Sequence, residues 1–197
     1  LIDESPDLFT NSEKLKIIPA SEKIGMEDNP IKGIRRKKES SIVLGLSDLK
    51  EGKTDFFFSP GNSGAVVYGA AEILGLLKSI QFPAIAVMIP NIHGHILLLD
   101  AGANAFIDED QGIELAIMGK VVYQNYFNVK NPEIGILNLG KEWHKGPKWV
   151  RKLDSILKKD RAYNYYGYVE GFDIFTSPCQ VFITGGYTGN ILLKGLE

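Results

Sequence analysis

Four short segments of this chain combine glycine with amide and hydroxyl side chains directly after an apolar run. They are Ser59-Pro60-Gly61-Asn62-Ser63-Gly64, Asp100-Ala101-Gly102-Ala103-Asn104, Asn138-Leu139-Gly140-Lys141-Glu142 and Thr184-Gly185-Gly186-Tyr187-Thr188-Gly189-Asn190. Such loops present backbone N–H groups and small polar side chains, the donors that hold an oxyanion or polarise a carbonyl. Asp100 is an acceptor in this set, suited to positioning backbone or a metal. Lys145 stands before Gly146-Pro147, at the expected start of a helix, where an ammonium and a helix N-terminus can act on one anion. Neither G-x-G-x-x-G after a strand nor G-x-x-x-x-G-K-[ST] is present, so the usual nucleotide fingerprints are missing. His93-x-His95 lacks a third metal ligand nearby. Cys179, the single cysteine, excludes an internal disulfide and reads as a small strand-end residue. Arg35 to Lys38 read as a solvated helix surface, and Tyr163, Tyr165, Tyr166 and Tyr168 as the dressing of a strand.

The elements that must position these loops follow from periodicity. Lys14–Pro19, Asp55–Phe58, Ala84–Pro90, Ile96–Asp100, Ile134–Leu139, Ala162–Val169 and Gln180–Thr184 read as strands. Helices are expected within Pro30–Leu49, over Ala65–Ser79, over Gln111–Phe127 with little polar face and hence well buried, from Pro147, and from Gly189 onward. Alternating strands and helices, with several strands apolar throughout, predict an α/β fold: three α/β/α layers around a mostly parallel sheet. The short turn at His93-Gly94-His95 predicts an antiparallel hairpin between residues 84 and 100. In a parallel sheet all strand C-termini share one edge, so the glycine-rich loops are expected to meet there.

The 197 residues are 44% hydrophobic and 23% charged, enough for one α/β domain over residues 1–197, with residues 1–12 expected to be loose. A net charge of -2 argues against general nucleic-acid binding. The longest apolar stretch, residues 84–99, is interrupted by Pro90-Asn91 and His93-Gly94-His95, so no membrane span is expected, and the acidic opening Leu1-Ile2-Asp3-Glu4-Ser5-Pro6, without an apolar core, predicts no signal peptide.

The ordered stretches SPGNSGA (59–65), LLLDAGAN (97–104), ELAIMGKVV (114–122), NPEIGILNLGKE (131–142), HKG (144–146), YGYVEGFDI (166–174) and GGYTGNILLKGLE (185–197) resemble the PlsX family, the phosphate acyltransferases of bacterial phospholipid synthesis. The resemblance runs from about residue 15 to the end. It implies a fold related to phosphotransacetylases and isopropylmalate dehydrogenases, and no cofactor or metal. It implies acyl transfer from an acyl-carrier-protein thioester to orthophosphate, in a cytoplasmic homodimer loosely attached to the inner face of the membrane. Orthophosphate is already nucleophilic, so the enzyme's task is to hold it against the thioester and stabilise the oxyanion. On this reading Lys145 and Asn62 are the catalytic candidates. Ser59, Gly61, Ser63, Gly64, Asp100, Asn104, Asn138, Thr188, Gly189 and Asn190 are the binding candidates. The chain departs from the family pattern at Gly185, where an acidic residue is usual, and at Phe82 and Phe172, where arginine is usual. Lys141, His144 and Pro147 are also atypical. Relative to the family the chain is expected to be a fragment, without an N-terminal glycine-rich strand and the C-terminal helices. Two alternatives stay open: a non-catalytic relative that binds carrier protein or phosphate, and a phosphotransacetylase acting on a coenzyme A thioester.

Overall fold

A strand apolar at every position must be covered on both sides, and the segment Ile96–Leu99 shows how. Leu97 and Leu99 enter one buried cluster while Ile96 and Leu98 enter another, and all four are almost fully buried. The computed structural model describes residues 16–196. The stretch expected to be loose, residues 1–12, lies outside them. The chain divides into two units, Leu1–Leu74 and Gly75–Glu197.

In the first unit, helix α1 (Pro30–Arg36) starts at Asn29, whose side chain accepts a hydrogen bond from Lys32 N, with Pro30 in the first turn. Helix α2 (Ser41–Lys50) follows, so the single helix expected over this stretch is two. The break is built by Lys37 and Ser40. Lys37 Nζ donates to Lys23 O and pairs with Asp28 at 2.6 Å, and the buried Ser40 hydroxyl donates to Lys37 O. Helix α3 (Ser63–Gly69) continues as a wider π turn over Ala70–Leu74. It ends there and not at Ser79, because Gly75 takes a φ of +89°. Ile24, Ile34, Ile42, Val43, Leu46 and Ala65 form the core of this unit. The two strands expected here do not form. Residues 16–20 have no regular structure, and Lys14 and Leu15 lie outside the described residues. Asp55–Phe58 has no regular structure: Phe57 packs inward while Phe56 and Phe58 are exposed. A strand exists only through a hydrogen-bonded neighbour, and among the described residues neither segment has one.

The second unit holds the sheet. Strands β1 (Ala86–Asn91) and β2 (Gly94–Leu99) form the expected antiparallel hairpin, in register from Ala86 opposite Leu99 to Asn91 opposite Gly94. Helix α4 (Glu109–Phe127) opens with a reciprocal capping box between Asp108 and Gln111. Strand β3 (Glu133–Leu137), helix α5 (Lys148–Leu157), strand β4 (Asn164–Val169), a 3-10 turn (Gly171–Phe175), strand β5 (Val181–Ile183) and helix α6 (Gly186–Leu196) complete it. The sheet order is β1-β2-β5-β3-β4, and all pairs except the hairpin are parallel. Leu115 and Tyr123 of α4 and Val150, Leu153 and Leu157 of α5 cover one face. Leu192 and Leu193 of α6, with Ile174, cover the other. This is a three-layer α/β/α fold around a mostly parallel sheet.

In the second unit two expectations change. Helix α4 buries one side only; Ile117, Val121 and Tyr126 are exposed on the other, so its apolar composition does not reflect full burial. Helix α6 begins at Gly186, three residues before Gly189, for a reason that belongs to the site. Phe82, where the family pattern has arginine, is a buried core residue. Among the described residues no helix is long and apolar enough to cross a membrane.

Leu153 is completely buried between α5 and the sheet. Replacing it with alanine is expected to lower the stability of the second unit by about 2–5 kcal/mol, read from the urea midpoint at unchanged slope.

Candidate active site

Because β2, β5 and β3 are parallel, the loops that follow them leave the same edge of the sheet. The first is organised by Asp100, which is fully buried. Its Oδ1 accepts from the N–H groups of Ile85, Gly102 and Ala103 at 3.1, 3.0 and 2.9 Å. Its Oδ2 accepts from Asn104 N and Asn104 Nδ2 at 2.7 and 2.8 Å. Five donors saturate the carboxylate, so Asp100 shapes the loop and has no lone pair left for a metal. Asn104 Nδ2 also donates to Pro83 O at 2.7 Å. Both amide hydrogens of Asn104 are therefore engaged, and its side chain is a clamp within the loop.

Helix α6 is seated on this loop. The N–H groups of Gly186 and Tyr187 donate to the carbonyls of Asn104 and Ala105 at 2.8 and 3.2 Å. A side chain on Gly186 would come within 2.6 Å of Asn104 O, and one on Gly189 would run into Asp100 O. These glycines thus let backbone approach backbone, where the sequence suggested approach to a ligand. Asn190 packs over Gly102, about 3.5 Å from the position a Cβ would take there. Thr188, two residues earlier, is exposed.

The loop after β3 is tied by Asn138, whose Nδ2 donates to the carbonyls of Gly140 and Lys145 at 3.0 and 3.3 Å. Asn138 Oδ1 is buried against Gly146 and has no hydrogen-bond partner. Lys145 Nζ pairs with Glu142 at 2.8 Å and remains partly exposed. That contact is the first cause of a Glu142 carboxyl held below its ordinary range, helped by its own backbone N–H. Lys141 pairs with Asp173 at 3.3 Å and lies 5.8 Å over the Phe172 ring, so a cation occupies the neighbourhood where the family pattern has arginine.

Between these loops lies a cavity of about 590 Å³. Its deep wall includes Leu137, Val150, Thr184 and Gly185, all buried, and Trp149. Its mouth is framed by Phe106, Leu139 and Tyr187, all strongly exposed, with the Phe106 and Tyr187 rings stacked at 6.3 Å. Leu139 and Tyr187 lie inside two of the glycine-rich loops and Phe106 two residues after a third, so the signal in the sequence was a large apolar residue at a loop position where exposure is expected.

The fourth loop belongs to the first unit. Asn62 is buried there; its Oδ1 caps α3 through Ala65 N at 3.0 Å, and its Nδ2 donates to the carbonyls of Gly25, Met26 and Asp28 at 3.1–3.2 Å. The amide has no hydrogen left for a ligand, so Asn62 is a clamp on the 25–28 turn. Ser59 Oγ accepts from Gly61 N at 3.1 Å, while Ser63 and Gly64 are exposed at the start of α3.

Other singled-out residues take structural places. Cys179 is buried, and burial pushes its thiol pKa well up, away from thiolate character. His95 stacks on Phe127 at 5.4 Å. Tyr165 donates to Asp154 at 2.6 Å, and burial followed by that bond raises its pKa. Lys37 is held by Asp28, as above.

A family model described as fatty acid synthesis protein matches residues 3–197. The chain belongs to this family. Among its relatives are a phosphate acyltransferase from Halothermothrix orenii, 44% identical over 186 residues, and one from Thermotoga maritima, 37% identical over 192 residues. These alignments cover 94% and 98% of this chain but 56% and 58% of the relatives, so it spans a little over half their length. A solved structure titled EutD phosphotransacetylase from Staphylococcus aureus superposes over 98% of this chain and 69% of its own, with a TM-score of 0.63 and 15% identity. That likeness shows the shared fold.

Asp100→Asn keeps the shape but turns an acceptor into a donor facing N–H groups. It is expected to cost about 3 kcal/mol or more of stability, measured by thermal unfolding. For Glu142 the sign is that of a depressed carboxyl. Its pairing with Lys145 contributes at neutral pH and is lost as pH falls through the folded value, below that of an unfolded glutamate. A carboxyl NMR titration should place its midpoint under the ordinary value, and Lys145→Met should return it.

Proposed function

We propose that this chain carries the phosphate acyltransferase chemistry of its relatives: acyl transfer from a thioester of acyl-carrier protein to orthophosphate. A hydrogen phosphate oxygen attacks the thioester carbonyl carbon. The C–S bond breaks, the acyl–oxygen bond forms, and the proton carried by phosphate ends on the released thiol. The observation that carries the reading is the shared edge where the Asp100, Asn138 and Thr184 loops leave parallel strands, with Lys145 tied to one of them through Asn138.

Lys145 is the group proposed to stabilise charge developing on the carbonyl oxygen, released from Glu142 as substrate binds. Thr188 and Asn190 at the start of α6 are the proposed donors to phosphate and thioester, while Gly189, whose N–H donates to Gly185 O at 3.0 Å, serves by letting α6 approach the Asp100 loop. Asp100, Asn104, Asn138 and Asn62 act through the loops they hold, as positioning residues. A homodimer, and a peripheral place at the inner face of the cytoplasmic membrane, belong to the same proposal; the apolar outer side of α4 at Ile117, Val121 and Tyr126 supports a protein partner.

Gly185 favours a second reading, a relative that binds without turnover, because the family pattern has an acidic residue at this position. Purified protein with palmitoyl-acyl-carrier protein and labelled phosphate should yield acyl phosphate, and Lys145→Ala should lower kcat about 10²–10³-fold. Product only from the coenzyme A thioester would make it a phosphotransacetylase. No product from wild type, but product from Gly185→Asp, would establish a lapsed enzyme.

A further inference from the structure

The cavity between the three loops has no charged side chain in its lining. Two of its polar side chains are spent on the protein: Thr184 Oγ1 donates to Gly185 O, and the Asn138 amide hydrogens go to loop carbonyls. A phosphate dianion placed there would lose its hydration with no counter-charge to replace it. A hydrocarbon would lose nothing and would gain the burial of its own surface and of Ile107, Leu137, Trp149, Ile191 and Leu192. The volume of about 590 Å³ is in the range of sites that enclose small ligands.

We propose that this cavity is the acyl-chain site, entered methyl end first. The inference rests on the acyltransferase reading for the identity of the chain. Direction follows from the walls. The deep end is closed by buried Leu137, Val150 and Gly185, while the mouth lies between exposed Phe106, Leu139 and Tyr187. A thioester bears a large polar carrier that must remain outside, so the methyl terminus is the end that goes in. The stacked Phe106 and Tyr187 rings, 6.3 Å apart, then flank the first methylenes, and the carbonyl stays at the rim with the loop that carries Lys145.

Gly185 sets the depth of the site. A Cβ built on it has its nearest neighbour, Ile107 Cγ1, at 3.6 Å, so a side chain fits there without displacing backbone. In this chain the absence of that side chain makes the cavity deeper. A longer apolar residue at position 185 shortens the site.

The test is calorimetric binding of octanoate, decanoate, dodecanoate, tetradecanoate and hexadecanoate below their micelle concentrations, with acyl phosphate formation followed in parallel from carrier-protein thioesters of the same chains. Affinity should rise about fourfold per added methylene until the chain fills the cavity, and then level off. Gly185→Leu should move the plateau to a shorter chain at unchanged circular dichroism. Ile191→Glu, at an exposed position of the wall, should weaken binding of every chain at least tenfold. Affinity independent of length, or a plateau that neither variant moves, would overturn the site. Length-dependent binding without acyl phosphate leaves the chain site standing and overturns the acyltransferase reading. Acyl phosphate whose kcat/KM ignores chain length and both substitutions does the reverse.

Discussion

The Asp100 carboxylate holds together the sheet edge on which the candidate site is built. A buried charge is tolerable only when its lone pairs are met, and Asp100 meets five donors from the 102–104 loop and from Ile85. The loop so fixed offers the carbonyls of Asn104 and Ala105 to the first N–H groups of α6. The position of α6 then decides where Tyr187, Thr188 and Ile191 stand around the cavity. Removing the carboxylate would leave four backbone N–H groups without this acceptor and α6 without its seat.

The same economy recurs in the other loops. Asn138 closes the turn that leads to Lys145, and Asn62 caps α3 while holding the 25–28 turn. In each case an asparagine or aspartate that looks like a ligand donor is occupied by backbone. The groups left facing outward are less conspicuous: backbone at loop ends, a lysine shared with Glu142, and apolar rings. The chemistry proposed here suits that division, since acyl transfer to phosphate asks for held geometry and a few well-placed donors, with no covalent nucleophile.

Membership of the fatty acid synthesis protein family and the mostly parallel sheet were legible in the residues. The strands Ile96–Leu99, Ile134–Leu137 and Val181–Ile183 are apolar throughout because both faces are covered, and that pattern survives in any sequence order. The Asp55–Phe58 run misled because three phenylalanines satisfy strand propensity without supplying a strand partner. Helix α4 misled because its apolar outer side has no cover within this chain's second unit. The cavity was invisible because its walls, Phe106, Leu137, Trp149 and Ile191, come from four separate segments.

By itself the sequence determined the types and order of the elements in the second unit, the hairpin, the glycine-rich loops and the kinship they record. These are set by local periodicity and by residues a few positions apart. Tertiary structure alone decided which polar side chains are spent on the scaffold, what the glycines of α6 approach, and that the space between the loops is uncharged. Those facts depend on distances between residues remote in the chain, which no local pattern encodes.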